Sequence, residues 1–236
     1  MPILDLPSLW NLASDQRQNY AAADPFPFCV INDFLTDEGL ALALRAFPPM
    51  GDASWKLPVH VHAVNKYVTK YDKQALKDTL FNDDARCLFS HLMAGSFLFF
   101  LEKLTGIRGV MPDPYFIEGG FHCVGDKGKL DVHADFTHHR GLGLQRRINL
   151  LLYLNENWRP EYGGNLGLYD KDGLRKAAIA PILNRAVIFT TSYTSYHGHP
   201  EPMNLPEGVM RKSIALYYYS PPTSLAPRKI HFLNGE

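Results

Sequence analysis

The sequence predicts a mainly β fold with flanking helices, and three observations support this. Hydrophobic residues make up 46% of the 236 residues and charged residues 20%, the balance of an ordinary globular protein. The segment up to Pro112 carries helix signals around a single strand. After Pro112, short apolar runs alternate with clusters of Gly, Pro, Asn and Asp, which is typical of a β-sandwich or barrel.

The N-terminal part is predicted to supply helices that cover one face of a sheet. Residues 1–24 form a short helical or irregular lead-in, and Phe28–Phe34 is apolar and β-branched enough to be a strand. Thr36 is a good N-cap for a helix that ends before Pro48. A second helix is predicted over about Asp83–Thr105, because an apolar face recurs at helical spacing, although a glycine weakens its centre.

The remainder of the chain is predicted to be a β-core. Its strands are Tyr115–Val124, Lys129–His133, Arg147–Leu154, Gly164–Tyr169, Ala177–Ile179, Arg185–Thr190 and Ser213–Tyr219. No linker separates the two halves, so a single domain is expected over 1–236. Within it, 1–24 is the lead-in, 25–112 carries the first strand and the supporting helices, 113–221 is the β-core and 222–236 is a C-terminal tail.

Charge and cysteine content exclude several classes of protein. Lys plus Arg and Asp plus Glu both number 24, so a protein that binds nucleic acid through bulk positive charge is not expected. Three scattered cysteines without a C-x-x-C pair predict neither a disulfide framework nor a cysteine zinc site. The N-terminus does not have the pattern of a signal peptide, and the most apolar stretch, Leu92–Leu101, is too short to span a bilayer. We therefore expect a cytoplasmic protein with no membrane partner.

A candidate metal site lies in the predicted β-core. His133 and Asp135 are two residues apart on a predicted strand, so their side chains point to the same face. His197 and His199 follow a second apolar strand and offer a third ligand. Two histidines and one carboxylate on one face of a metal leave three positions open, as in non-haem Fe(II) oxygenases, whereas a structural zinc site is closed.

A chance arrangement is the alternative to this interpretation. The chain has ten histidines, so an H-x-D pair alone is unremarkable. The predicted strands on both sides of the site favour the metal interpretation, and so does Arg211 at the start of a later strand. A guanidinium can hold a carboxylate through two parallel hydrogen bonds, although an arginine at a strand start is also common on protein surfaces.

The ordered motifs resemble one known family. These are H-A-D, then R-I-N-L-L-L-Y-L-N, G-G-N-L, Y-H-G and R-K-S, preceded by P-F-P-F-C-V-I-N-D-F-L-T-D-E-G-L. Together they are similar to the Fe(II)/2-oxoglutarate-dependent oxygenases, above all the prolyl-4-hydroxylase-like branch. The resemblance covers roughly residues 25–221 and implies a double-stranded β-helix core, also called a jelly roll or cupin-like fold.

The resemblance also implies roles for individual residues. His133 and Asp135 match the first two iron ligands, and His197 matches the third, since in the family this histidine directly follows the strand and turn. His199 is the competitor for that place. Arg211 matches the basic residue that binds the far carboxylate of 2-oxoglutarate.

Two further residues are candidates for binding the same carboxylate. Ser213 is two residues beyond Arg211 on the same predicted strand face, and Tyr153 resembles a tyrosine that donates to the carboxylate in some relatives. A core aromatic is an equal interpretation for Tyr153. The segment 200–210 is longer than is usual in the group and is expected to be a loop.

By resemblance, the cofactors are Fe(II), 2-oxoglutarate and O₂, with ascorbate as an optional reductant. The implied reaction decarboxylates 2-oxoglutarate to succinate and CO₂ and hydroxylates a C–H bond of a small-molecule or peptide substrate, prolyl or amino-acid-like. Demethylation and ring closure are alternative outcomes. Halogenation is not expected, because it needs a small residue in place of Asp135.

Two functions from other classes stay open at this stage: a cupin-like module that binds a metal without oxidation, and a β-sandwich interaction protein with chance histidines. Neither the substrate nor the oligomeric state can be inferred from the sequence. Arg146 and Arg147 open a strand beside the predicted site, where they could grip an anionic substrate or face solvent, and Asn149 is predicted to share a strand face with Arg147. Weaker substrate-binding candidates are Lys66, Tyr67 and Tyr71.

Overall fold

The computed structural model describes residues 2–49, 71–75, 81–223, 227 and 229–233, with 71–75 as backbone only. Within these residues the helices are α1 (Leu6–Ala22), α2 (Asp37–Ala46), α3 (Asp83–Leu92) and α4 (Gly95–Thr105), and a short 3-10 turn covers Pro160–Tyr162. The Thr36 side chain accepts a hydrogen bond from the backbone N–H of Gly39, so the predicted N-cap of α2 is present. The lead-in is largely helical, and the Asp5 side chain caps its helix.

The prediction of a single helix over about Asp83–Thr105 is wrong in one respect, because the structure has two helices in this segment. The chain leaves the helical path at Met93–Ala94 and turns by 45° before α4 begins at Gly95. Glycine is a poor residue for a helix interior, and here it starts a new helix instead. Among the described residues no single helix is long and apolar enough to cross a membrane; only the bent pair α3 and α4 meets that criterion by length and composition.

The described strands all pair in antiparallel fashion. They are β1 (Phe28–Ile31), β2 (Tyr71–Ala75), β3 (Met111–Pro112), β4 (Gly120–Ala134), β5 (Gln145–Tyr153), β6 (Leu166–Tyr169), β7 (Arg175–Ile179), β8 (Arg185–Thr190), β9 (Tyr196–His199), β10 (Arg211–Ser220) and β11 (His231–Phe232). Their order is β1-β8-β5-β10-β4-β9-β6-β7; β2 and β11 also pair with β4, and β3 pairs with β10.

The long strand β4 belongs to both halves of this curled sheet. Its first part pairs with β10 in the major half, and its last part, from Leu130 to His133, pairs with β9 in the minor half. The major half is thus β1-β8-β5-β10-β4, and the minor half is β4-β9-β6-β7. This arrangement confirms the predicted jelly-roll, double-stranded β-helix core.

Two of the predicted strands are in fact one. The predicted strands Tyr115–Val124 and Lys129–His133 merge into β4, which starts only at Gly120. The preceding residues form a turn, because the Asp113 carboxylate accepts hydrogen bonds from the backbone N–H groups of Tyr115 and Ile117. Strand β9 has no counterpart in the prediction, since four residues of sequence Y-H-G-H carry no apolar alternation.

The helices pack against the outer face of the major half. Outward-facing side chains of β5 and β10 join α4 in one buried apolar cluster; this cluster includes Ile148, Leu150, Leu152, Ile214, Leu216, Phe97, Phe100, Leu101 and Leu104. With the outer face committed to the core, the inner face of the same strands can carry polar groups.

Candidate metal centre

Three of the predicted ligands meet at the junction of the two sheet halves. His133 lies near the end of β4 and Asp135 directly follows that strand, while His197 lies on β9 directly opposite His133. One potential ligand atom from each residue lies within 4.8 Å of the others, and all three side chains are buried. Gly198 permits this close approach, because a Cβ there would lie 2.7 Å from the Leu130 carbonyl oxygen of β4.

Both imidazoles are held with Nε2 available to a metal. The Nδ1 of His133 donates to the Asp131 carbonyl at 2.8 Å, and the Nδ1 of His197 donates to the Ser195 carbonyl at 3.0 Å. A carbonyl oxygen can only accept, so Nδ1 carries the proton in each ring. The Nε2 atoms lie 3.7 Å (His133) and 3.5 Å (His197) from the Asp135 carboxylate oxygens. Such backbone partners are typical of metal-binding histidines.

His199 lies outside this cluster. It is buried on β9, but it pairs with Leu130 rather than with His133. The geometry therefore favours His197 as the third ligand. Two imidazole nitrogens and one carboxylate oxygen form a donor set that suits Fe(II), so the residues present fit an iron ion.

The charge of Asp135 is compensated inside the protein. Its Oδ2 atom accepts hydrogen bonds from Arg146 Nη2 at 2.8 Å and from Asn149 Nδ2 at 2.7 Å. Burial acts to raise the pKa of Asp135, but the Arg146 guanidinium and, to a smaller extent, the two histidines and the Asn149 amide hold the pKa well below its usual range. Asp135 is therefore ionised before any metal binds.

Arg211 occupies a second buried polar position on the same inner face. Its Nε donates to the Gly164 carbonyl at 2.8 Å, and its Nη2 donates to the Tyr153 hydroxyl at 3.3 Å. Burial raises the pKa of Tyr153 and nearby Arg211 opposes that effect, so the hydroxyl stays protonated. Among the described residues Arg211 has no carboxylate partner. Ser213 is buried two residues further along β10, opposite Tyr153.

The long segment before Arg211 is a loop, as the sequence predicts, and it is anchored. Met203 exchanges backbone hydrogen bonds with Lys127 and Gly128, and the Asp126 carboxylate accepts from the backbone N–H of Leu205. The buried Met203 side chain lies next to Gly164 and Arg211. The extra length thus fixes the surroundings of the arginine instead of displacing it.

The sequence left open whether Arg146 and Arg147 grip an anionic substrate or face solvent, and it did not predict the pairing of Arg146 with Asp135; a β-bulge explains why. Strict alternation puts Arg147 on the face of Asn149, but the register of β5 against β10 skips Arg147, since Tyr218 pairs with Ile148 and Tyr219 pairs with Arg146. Arg146 is therefore buried beside Asn149. Arg147 is half-buried and donates to the Ser220 hydroxyl. The adjacent arginines were the available signal, but the bulge itself leaves no mark in the sequence.

The remaining sequence candidates lie elsewhere. Lys66 and Tyr67 lie outside the described residues, and Tyr71 is described only as backbone in β2. The tail contributes to the site instead: strand β11 pairs with β4, and the Phe232 ring centroid lies 5.8 Å from that of His133. The C-terminal strand therefore shields one ligand of the candidate centre.

Residues 119–219 match the model of the 2OG-Fe(II) oxygenase superfamily. The match covers 101 of the 236 residues, which is the segment that forms most of the β-core. The matched segment contains the three clustered side chains together with Tyr153, Arg211 and Ser213. The predicted resemblance is thereby confirmed, and the cofactors that it implies, Fe(II) and 2-oxoglutarate, agree with the donor set.

Individual known proteins are similar to this chain in sequence or in fold. Mouse (Mus musculus) prolyl 3-hydroxylase OGFOD1 is 33% identical over 87 residues, which is 35% of this chain but only 16% of the relative's length. A prolyl hydroxylase from Trichoplax adhaerens, solved with a peptide of the hypoxia inducible factor, has a TM-score of 0.65 and 20% identity over 91% of this chain and 92% of its own. A Pseudomonas putida prolyl-4-hydroxylase has a TM-score of 0.61 and 16% identity, covering 90% and 99%.

Proposed function

We propose that this chain is an Fe(II)- and 2-oxoglutarate-dependent dioxygenase that hydroxylates a C–H bond of a prolyl-containing peptide or an amino-acid-like molecule, with succinate and CO₂ as co-products. One observation carries the proposal. The buried cluster of His133, Asp135 and His197 shares the inner sheet face with Arg211, a buried cation that has no carboxylate partner among the described residues.

The unpaired cation identifies the kind of co-substrate. A buried charge is unfavourable unless it is paired, so the Arg211 position favours an anion that arrives with a ligand. The guanidinium can bind a carboxylate through charge-assisted hydrogen bonds, and the Tyr153 hydroxyl beside it can add another. A dicarboxylate such as 2-oxoglutarate would place one end there and the other at the metal.

In this mechanism, His133, Asp135 and His197 would hold the iron, which supplies O₂ activation coupled to oxidation of the 2-oxo acid. The chain's own contribution is positioning and exclusion of water. The Asp131 and Ser195 carbonyls hold the two imidazole rings in orientation, with Nε2 directed toward the metal position. Arg211 and Tyr153 orient the co-substrate. Because the three ligands are buried, competing hydrolytic and oxidative side reactions are suppressed.

The surroundings of Asp135 suit a substrate with an apolar ring next to a carbonyl group. Phe136, Tyr217 and Tyr219 form an aromatic cluster on this side of the site, with Ile230 from the tail packed against it. The Nη1 atom of Arg146 is a buried donor without a hydrogen-bond partner in the described part of the chain. A prolyl residue offers both a ring for the aromatic cluster and a carbonyl acceptor. The three similar proteins described above are each named as a prolyl hydroxylase, which agrees with this choice.

The first experiment is anaerobic binding of Fe(II) and 2-oxoglutarate, followed by oxygen-dependent succinate formation. We expect the wild-type protein to bind both, His133→Ala and His197→Ala to lose iron, and Arg211→Ala to lose 2-oxoglutarate while it retains iron. His199→Ala is the matched control, because this residue is on the same strand but outside the cluster, and it should retain iron.

The outcomes separate the competing functions. Binding of both ligands with succinate formation supports the oxygenase. Iron binding without any response to 2-oxoglutarate would indicate a metal-binding module of the same fold, and absence of both would leave only an interaction protein. The substrate class is then tested with a library of proline-containing peptides and free amino acids, by mass spectrometry for the gain of one oxygen atom. Oxygen incorporation into neither class would refute the substrate proposal alone.

A further inference from the structure

Asp135 has two carboxylate oxygens, and the structure treats them differently. Oδ2 accepts from both Arg146 and Asn149, at 2.8 Å and 2.7 Å. Oδ1 has no hydrogen bond within the described part of the chain, and it lies 3.7 Å from the Nε2 of His133. Both oxygens thus lie near a histidine, since Oδ2 is 3.5 Å from the Nε2 of His197, but two strong donors occupy Oδ2 and none occupies Oδ1 among the described residues.

The orientation of Asn149 is itself fixed. Its side-chain oxygen accepts from Arg146 Nε at 2.8 Å and from the Thr191 hydroxyl at 3.2 Å. Because an amide has one oxygen and one NH₂ group, these two donors force the NH₂ toward Asp135. Arg146 therefore acts twice, directly on the carboxylate and through the amide of Asn149.

The guanidinium has little freedom to move. Its central carbon lies 3.4 Å from the ring centroid of Tyr217 and 4.6 Å from that of Phe136, so the guanidinium packs against both aromatic rings. Arg146 is only 1% exposed, and the β5 bulge described above is what brings it to this face. A guanidinium held in this way can fix the orientation of the Asp135 carboxylate before a metal binds.

We propose that Arg146 and Asn149 are positioning residues that reserve the Oδ1 atom of Asp135 for the metal and hold the carboxylate in a one-oxygen binding mode. This proposal rests on the proposed iron site, but it concerns residues that do not bind the metal. It predicts that the pair contributes to metal affinity and coordination geometry without any contact to the ion. Partners of this kind typically change metal affinity by roughly 10–100-fold.

The test is a titration of the metal-free full-length protein with Co(II), whose visible absorption reports both affinity and coordination geometry. We expect Asn149→Ala and Arg146→Lys each to raise the Co(II) Kd by roughly 10–100-fold and to alter the spectrum. Arg147→Lys is the matched control, because it changes the neighbouring arginine that faces away from Asp135, and its Kd should stay within about twofold of wild type.

Thermal unfolding of the metal-free variants separates positioning from a merely structural role. A structural role lowers the unfolding temperature but leaves the Co(II) spectrum and Kd unchanged once the protein is folded, and that result would overturn the proposal. If Arg146→Lys does not fold, Asn149→Ala alone decides, since it leaves the Arg146–Asp135 ion pair in place. Failure of wild-type protein to bind Co(II) or Fe(II) would instead refute the metal site and the positioning role together.

Discussion

Two buried arginines face the inside of this fold, and their partners differ. Arg146 pairs with Asp135 at 2.8 Å and lies against aromatic rings, so its charge is neutralised within the protein. Within the part of the chain that the structure describes, the partners of Arg211 are neutral: the Gly164 carbonyl and the Tyr153 hydroxyl. The difference shows how burial alone does not reveal the role of a charged residue. A paired cation supports its neighbours, whereas a cation with neutral partners awaits a ligand of opposite charge.

The largest expected effect concerns the paired arginine. Arg146→Met leaves the Asp135 carboxylate buried without its counter-charge, so the free energy of unfolding of the metal-free protein should fall by about 3–5 kcal/mol. Urea unfolding followed by circular dichroism measures this. A loss below about 1 kcal/mol would mean that the ion pair does not differ from an exposed one.

Replacement of Arg211 by methionine should instead affect ligand binding more than the stability of the fold. Arg211→Met removes the proposed partner of the 2-oxoglutarate carboxylate and should weaken 2-oxoglutarate binding by about 2–5 kcal/mol. Stability without 2-oxoglutarate should stay the same or rise, because a buried charge without a carboxylate is replaced by an apolar side chain. Calorimetric titration and urea unfolding give the two values, and a large loss of stability would make Arg211 a structural residue after all.

Acid should distinguish the two positions as well. Because the pKa of Asp135 is lowered in the folded state, its ionised form stabilises the fold above the unfolded pKa, and this contribution is lost as the pH falls. The difference in unfolding free energy between wild type and Arg146→Met should therefore shrink by about 2 kcal/mol between about pH 6 and about pH 3. The difference between wild type and Arg211→Met should not change in this way, and equal behaviour of both variants would contradict the comparison.

The smallest expected effect concerns Tyr153, whose hydroxyl lies beside Arg211. Tyr153→Phe removes one hydroxyl beside the guanidinium, so the affinity for 2-oxoglutarate should fall by about 1 kcal/mol, or roughly fivefold. The protein should bind iron normally. An unchanged affinity would favour the alternative from the sequence, in which Tyr153 is only a core aromatic.

Much of this architecture could be predicted from residue patterns. The strand Arg185–Thr190 has the bounds that its apolar run indicates, and the cap at Thr36 follows from one side chain and its neighbours. The convergence of His133 and Asp135 could be predicted because side chains two residues apart in any strand point to the same face, whatever the rest of the fold. These features depend on local sequence, so a single chain is enough to predict them.

Features that depend on register or on distant partners could not be predicted in this way. Strand β9 forms because β4 and β6 flank it, not because Y-H-G-H favours a strand. The position of Arg146 depends on a bulge that is set by the pairing of β5 with β10. The break between α3 and α4 was visible only as a glycine whose effect was underestimated.

The bulge at Arg147 also has a consequence for how this gene can change. A regular ladder would turn Arg147 inward, whereas the bulged strand turns Arg146 inward, and both residues are arginine. An in-frame deletion of either codon therefore still leaves an arginine facing Asn149, with the strand straightened. In most strands, loss of one residue would exchange the inward-facing and outward-facing side chains, whereas here the inward-facing residue would still be an arginine.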